Sequence, residues 1–210
     1  MASTIGSRRI RNVILATLIQ AAAIGLFIHF FSGSRTEVPN LDASPPGAAA
    51  LRAEWERALV EADAGGLSRL RATIQTTRGR IRFRFYPIDA PKTVKRIATL
   101  VSEGFYNGLL FHRVEPGFVI QGGDPTGTGS GGSGQRLSAE FNSRKHVLGA
   151  VAMARGEDAD SADSQFYISL GNHPHLDGRY TVFGQVVEGI EVLTQIQTGD
   201  RMTAISLEAD

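Results

Sequence analysis

From Arg80 to Phe85 the chain alternates without exception between arginine (80, 82, 84) and a large apolar residue (Ile81, Phe83, Phe85). Successive side chains on a strand point to opposite faces, so this run is a strand with one wet face and one buried face. A helix would spread the three arginines around its circumference. Residues 72–76 supply a hairpin partner across Thr77-Arg78-Gly79. Further strands read at 110–114, 118–121, 147–153, 165–170, 181–187 and 202–207. A helix interrupts them: Asp89 is placed to cap it, Pro91 suits its first turn, Val94, Ile97, Ala98 and Val101 share one face, and Gly104 ends it. Residues 189–196 suit a second, short helix. The pattern predicts a mainly β fold, an eight-stranded antiparallel β-barrel closed by two helices, because a sheet of that size is better closed than left with bare edges.

The N-terminal part differs in kind. Residues 13–31 contain no Asp, Glu, Lys or Arg. As a helix they span about 28 Å, close to the hydrocarbon thickness of a bilayer. Arg8, Arg9 and Arg11 precede the run, whereas Arg35 follows alone beside Glu37 and Asp42. The positive-inside rule keeps residues 1–12 in the cytoplasm and sends the remainder across. Ala21-Ala22-Ala23 offers a competing reading as a signal-peptide cleavage site, but cutting there leaves the apolar stub 24–31 on the mature chain. The run is apolar all round, which argues against a buried amphipathic helix. Residues 32–66 follow as a linker: Ser, Gly and Pro-rich at first, then a short helical stripe of Leu51, Trp55, Ala58, Leu59 and Ala62 that Gly65-Gly66 stops. Residues 67–210 form the β domain. The formal net charge is +1 and there is no cysteine. No basic surface predicts nucleic-acid binding, and disulfide or thiolate chemistry is excluded.

One stretch carries more than pattern: Phe111-His112-Arg113-Val114-Glu115-Pro116-Gly117-Phe118-Val119-Ile120-Gln121-Gly122-Gly123-Asp124-Pro125. Ala139-Glu140-Phe141, the segment 149–154, Ser164-Gln165-Phe166-Tyr167-Ile168, Leu176-Asp177-Gly178, and Val182-Phe183-Gly184-Gln185-Val186 with Glu188-Gly189 follow in order. These blocks resemble the cyclophilin-type peptidyl-prolyl cis-trans isomerases over about residues 70–210. The resemblance implies an enzyme that needs no cofactor and acts on proline-containing polypeptides. Arg113 matches the family's catalytic arginine, and Gln121 a glutamine that bonds near it. Phe118, Val119, Tyr167 and Leu176 match pocket-wall positions. Ala154, Arg155 and Gln165 match the groove for residues preceding proline, with the backbone at Arg155 pairing with the peptide. There are departures. Tyr167 stands where phenylalanine is usual, and its hydroxyl needs a partner. His175 stands where ciclosporin-sensitive members carry tryptophan, Tyr180 where a pocket-edge histidine is common, and the loop 155–164 is one residue longer than in the common eukaryotic form. With the apolar run at 13–31, the resemblance points to a membrane-anchored bacterial form facing the periplasm, a eukaryotic organelle being the alternative. A non-catalytic proline-binding chaperone or scaffold module is the alternative function.

Three features are set aside. Gly127-Thr128-Gly129-Ser130-Gly131-Gly132 fits a dinucleotide fingerprint, but no helix opens directly after it. It reads as a loop whose glycines let the backbone lie close to a neighbour. His173-Pro174-His175 falls short of a metal site. Glu157, Asp158, Asp160 and Asp163 read as a solvated acidic face.

Overall fold

The computed structural model describes residues 69–209. The expected membrane segment, linker and Trp55 helix lie outside the described residues. Among those described, no helix is long and apolar enough to cross a membrane.

The arginine-alternating run is β2 (Gly79–Phe85), hairpin-paired with β1 (Leu70–Thr76), with Ala72 opposite Phe83 and Ile74 opposite Ile81. Helix α1 (Pro91–Ser102) follows, then β3 (Phe111–Glu115), β4 (Val119–Gly122), β5 (Ala150–Met153), β6 (Phe166–Ser169), β7 (Val182–Glu188), the one-turn helix α2 (Ile190–Leu193) and β8 (Met202–Ala209). All pairings are antiparallel, in the order β3-β4-β6-β5-β7-β2-β1-β8. The edge strands β3 and β8 meet at an isolated bridge between Leu110 and Arg201. Met202 N–H donates to Leu109 (2.9 Å) and Phe111 N–H to Asp200 (2.8 Å) there. The sheet is therefore a curled half-barrel stitched at one end, not the closed barrel expected, because the edge strands pair only at this bridge.

Two expected elements are shifted. The strand expected over 147–153 begins only at Ala150, because Gly149 takes a positive φ of 78° in a turn that leaves Val147 and Leu148 exposed. Asp89 does not cap α1. The N-cap is Ala90, which has no side-chain oxygen, and Asp89 is engaged by Arg144 (2.8 Å). The carboxylate of Glu140 takes the role from a distant loop, accepting from the N–H groups of Lys92 (3.0 Å) and Thr93 (2.8 Å). These are two of the donors that a helix leaves without internal partners, and an anion at that end also suits the helix dipole.

The apolar residues sort into two clusters. The larger, inside the curl, contains Ile81, Phe83, Val94, Ile97, Phe111, Ile120, Val151, Met153, Phe166, Ile168 and Phe183 among others. The smaller holds Val119, Ala150, Ala152, Tyr167 and Val182. Members alternate along β4, β5 and β6, and every residue of β5 and β6 is buried. These central strands are covered on both faces, and the outer cover is the loop region carrying Phe118, Leu176 and Tyr180.

The glycine-rich loop is built around two carboxylates. Asp124, 1% exposed, accepts from Thr126 N–H (2.7 Å) and hydroxyl (2.8 Å), Gly129 N–H (2.6 Å) and Gly131 N–H (3.1 Å). Asp163 accepts from Ser133 N–H (2.9 Å), the Ser133 hydroxyl and Gly134 N–H (2.9 Å). A side chain at Gly131 would collide with Asp124, and a Cβ at Gly132 would sit 2.7 Å from Asp163 Oδ2. Of the solvated acidic face expected at 157–163, Glu157, Asp158 and Asp160 are exposed and Asp163 is half-buried. Asp163 holds this loop, Asp160 accepts from Ala139 N–H (2.8 Å), and Asp158 accepts from Asp160 N–H (3.0 Å). Carboxylates are used here because each presents several acceptor sites to backbone donors that no ladder satisfies.

Glu140→Ala should cost about 1 kcal/mol, the usual worth of a helix cap, and urea unfolding of the variant measures it. An unchanged midpoint and slope would remove Glu140 from the list of stabilising contacts. Asp124 gives a pH signature. Burial works to raise its pKa, but the hydrogen bonds from Thr126, Gly131 and Gly129 outweigh it and bring it down to about 2. A depressed carboxylate pKa stabilises the fold above the unfolded value near 4, and that contribution is lost as pH falls through about 2. Asp124→Asn should therefore cost about 2 kcal/mol at neutral pH. It should also lose less further stability than the wild type between pH 4 and 2. Equal acid losses in urea titrations of the two proteins would contradict this.

Candidate active site

The register of the sheet lines up the residues that matter. Arg113 on β3 is opposite Gln121 on β4, Gln121 is opposite Tyr167 on β6, and Tyr167 is opposite Ala152 on β5. Cross-strand partners share a face, so this row runs along the outside of the curl. Above it lies a cavity of about 460 Å³.

Arg113 stands at one side of that cavity. Its Nη1 donates to Gln121 Oε1 (3.1 Å), and its Nε and Nη2 donate to Glu115 Oε1 (2.9 and 2.6 Å). With three of its five N–H groups so engaged, two remain for a ligand. The pair with Glu115 is half-exposed on both sides, a setting in which ion pairs contribute little to stability. Its effect is to orient the guanidinium. Gln121 passes the polarity on: its Nε2 donates to Gln165 Oε1 (2.9 Å), and Gln165 Nε2 donates to the carbonyls of Gly129 (3.0 Å) and Gly131 (2.8 Å). Each amide thus has a fixed orientation, set by carbonyl groups of the glycine loop.

The other side is apolar. Phe118, Val119, Tyr167, Leu176 and Tyr180 line it, with Arg113 5.8 Å above the Phe118 ring. Val119 belongs to the outer cluster beneath this wall and not to the main core. Ala154 and Arg155 line the cavity toward a second hollow of about 390 Å³, which Gln165 borders with Gly131 and Gly132. The Arg155 side chain is largely engaged within the protein. It donates to the carbonyls of Arg179 (3.1 Å), Gly156 (2.8 Å) and Glu157 (3.0 Å) and lies 4.8 Å over the Tyr180 ring. That fixes the loop carrying Tyr180 against the groove. His175 is set apart: it does not line the cavity but stacks on the outer side of Phe118 (5.9 Å, 16°). His173 donates from Nε2 to the Phe118 carbonyl (2.9 Å), so this nitrogen is engaged with the backbone. Among the described residues no group of three or more His, Cys, Asp or Glu is placed to hold a metal ion.

The structure adds lining residues that sequence reasoning passed over. His112, Thr128 and Gly129 face the same cavity. Burial lowers the pKa of His112, while Asp124 works the other way. The imidazole is therefore neutral at pH 7, and the cations lining the cavity are Arg113 and Arg155. His112 adjoins Arg113 in the chain, but on a regular strand neighbours face opposite ways. Only the register irregularity between Phe111 and Arg113 lets both contribute.

Comparison with known proteins follows this geometry. The family described as cyclophilin type peptidyl-prolyl cis-trans isomerase/CLD matches residues 71–207. A peptidyl-prolyl cis-trans isomerase of Helicobacter pylori is 46% identical over 138 residues, 64% of this chain and 84% of the relative. Peptidyl-prolyl cis-trans isomerase B of Bacillus subtilis is 46% identical over 131 residues, 61% of this chain and 91% of the relative. A Cryptosporidium parvum cyclophilin-type isomerase, crystallised in the presence of the dipeptide Ala-Pro, superposes with a TM-score of 0.63 at 29% identity, over 67% of this chain and 99% of that one. With a half-barrel of eight antiparallel strands, an apolar socket and an oriented arginine beside it, the chain belongs to the cyclophilin family and is a peptidyl-prolyl cis-trans isomerase.

Proposed function

We propose that the cavity beside Arg113 is where the X–Pro bond of a polypeptide is rotated, and that the domain does this outside the cytoplasm on a membrane tether. The observation that carries the catalytic part is the placement of a guanidinium, oriented by Gln121 and Glu115, beside an apolar wall of Phe118, Val119, Tyr167 and Leu176. A planar X–Pro bond resists rotation with a barrier of about 18–20 kcal/mol because the nitrogen lone pair is shared with the carbonyl. Twisting the bond ends that sharing, and the nitrogen becomes an acceptor. The prolyl ring enters the wall of Phe118, Val119, Tyr167 and Leu176, which holds it while the preceding carbonyl turns. One of the two N–H groups that Arg113 leaves uncommitted then donates to the nitrogen. That bond exists mainly in the twisted state, so it lowers the barrier instead of tightening the ground state. The row Ala154 to Gln165 borders the segment preceding proline, giving an extended peptide a strand-like bed.

The tether rests on the uncharged run at 13–31 and the arginines at 8, 9 and 11. A domain held there acts on exported or membrane-associated chains as they emerge, where slow X–Pro isomerisation, tens of seconds uncatalysed, limits folding. Protease treatment of intact cells or inner-membrane vesicles tests it. The isomerase domain should be cleaved only from the outer side, and the chain should stay with the membrane fraction. A soluble mature protein beginning at or after Ile24 would overturn the tether.

Arg113→Ala should lower kcat roughly tenfold to over a hundredfold, the rate equivalent of a charged hydrogen bond worth about 1.5–3 kcal/mol. Peptide binding and the thermal melt should change little, because the ion pair it breaks is exposed. Arg113→Lys should recover little, since an ammonium lacks the planar fork. A folded Arg113→Ala protein that binds proline peptides and turns them over at near wild-type rate would show that Arg113 is not the catalytic group.

A further inference from the structure

A tyrosine in a proline socket presents a problem. The prolyl ring has no acceptor, so a hydroxyl pointed at it is stripped of water with nothing in return. Tyr167 is 5% exposed and lines the cavity. Behind it sits His146, 1% exposed, whose Nε2 lies 2.9 Å from the Tyr167 hydroxyl and whose Nδ1 lies 3.0 Å from Asp177 Oδ1. Asp177 follows Leu176, another wall residue, and also accepts from the His146 backbone N–H (2.9 Å) and pairs with Lys145 (3.2 Å). Tyr180 packs edge-on over both rings, 5.9 Å from Tyr167 and 6.4 Å from His146.

The proton positions follow from these contacts. The backbone N–H of His146 first, then the side chains of His146 and Lys145, hold the Asp177 carboxyl down at about 2, so it is ionised and only accepts. Nδ1 of His146 therefore carries a hydrogen. Burial lowers the His146 pKa against the opposing pull of Asp177, and the imidazole is neutral at pH 7 with its lone pair on Nε2. The Tyr167 O–H must then be the donor.

We infer that His146 is the positioning residue of the prolyl socket: by accepting the Tyr167 O–H it turns the hydroxyl into the protein and leaves ring carbons as the surface that meets proline. The same imidazole, through Asp177, anchors the turn Pro174–Leu176 that brings Leu176 to the wall. One buried side chain thus sets two sides of the socket. This inference rests on the cavity being the prolyl site.

The test is a double-mutant cycle on the full-length chain, followed by isomerase kinetics and thermal melts. His146→Asn keeps a short amide able to donate to Asp177 but cannot reach Tyr167. In the otherwise unaltered protein it should raise KM about tenfold, with kcat held within about twofold. That is the cost of an orphaned buried hydroxyl felt equally in ground and transition states. Introduced on top of Tyr167→Phe, the same change should raise KM by less than about threefold, because no hydroxyl is left to orphan. An equal rise in both backgrounds, or a loss carried by kcat, overturns the coupling and leaves the socket in place. Tyr167→Ala, which removes the ring itself, should raise KM at least as far, and an unchanged KM there overturns the socket as well. A measurement independent of any variant's folding is the nitrogen NMR of the wild type at pH 7. It should show His146 protonated at Nδ1 and bare at Nε2, and a protonated Nε2 there overturns the inference.

Discussion

The molecule depends on strands that are buried on both faces. A strand exposes alternate residues to opposite sides, so a sheet covered on one side only reads as apolar and polar in turn. Along β5 and β6 no such alternation is present: Ala150, Ala152 and Tyr167 go outward, Val151, Met153, Phe166 and Ile168 inward, and all are buried, as is the terminal Ser169. The inward set makes the barrel's core. The outward set is a second apolar floor that must be covered by something, and it is covered incompletely. The loop region carrying Phe118, Leu176 and Tyr180 packs against it, and the cavity opens beside Val119 and Tyr167. The proposed prolyl site uses the part of this floor that borders the cavity.

Rigidity around that opening comes from carboxylates placed among backbone donors. Asp124 and Asp163 gather the glycine-rich loop, Glu140 caps α1, and Asp177 holds the segment at His146. Each replaces hydrogen bonds that an irregular segment cannot make to itself. The consequence reaches the chemistry by a short route. The carbonyls of Gly129 and Gly131 orient Gln165, Gln165 orients Gln121, and Gln121 orients Arg113. The glycines contribute by what they lack. At Gly131 and Gly132 a side chain would occupy the space taken by Asp124 and Asp163.

Much of this was legible in the chain. The arginine alternation at 80–85 named β2 and its buried face, and the helical stripe of Val94, Ile97, Ala98 and Val101 named α1 and its buried side. Arg113 and Gln121 were legible as a pair because motif resemblance carried them together, and the register then set them opposite each other. Asp89 misled because it sits where a cap belongs, whereas the capping group comes from Glu140, 47 residues from Thr93. Of the acids at 157–163 only Asp163 departs from a solvated face: its partners Ser133 and Gly134 lie in another loop, and no local pattern shows them. The need for a partner at Tyr167 could be read from its hydroxyl, but not which residue would answer it.

By itself, then, the sequence determined the elements and the face each buries, because these follow from periodicities of 2.0 and 3.6 residues, while the groups beside the site were named by motif resemblance. It also carries the uncharged run at 13–31, whose meaning depends on composition alone. The tertiary structure decided which loops meet. It brought His146 behind Tyr167, bound the Arg155 side chain to the Arg179 carbonyl, and stacked His175 on Phe118 outside the cavity lining. Those contacts join residues far apart in the chain. They are fixed by how the outer apolar floor is covered, a property of the packed sheet and not of any segment of it.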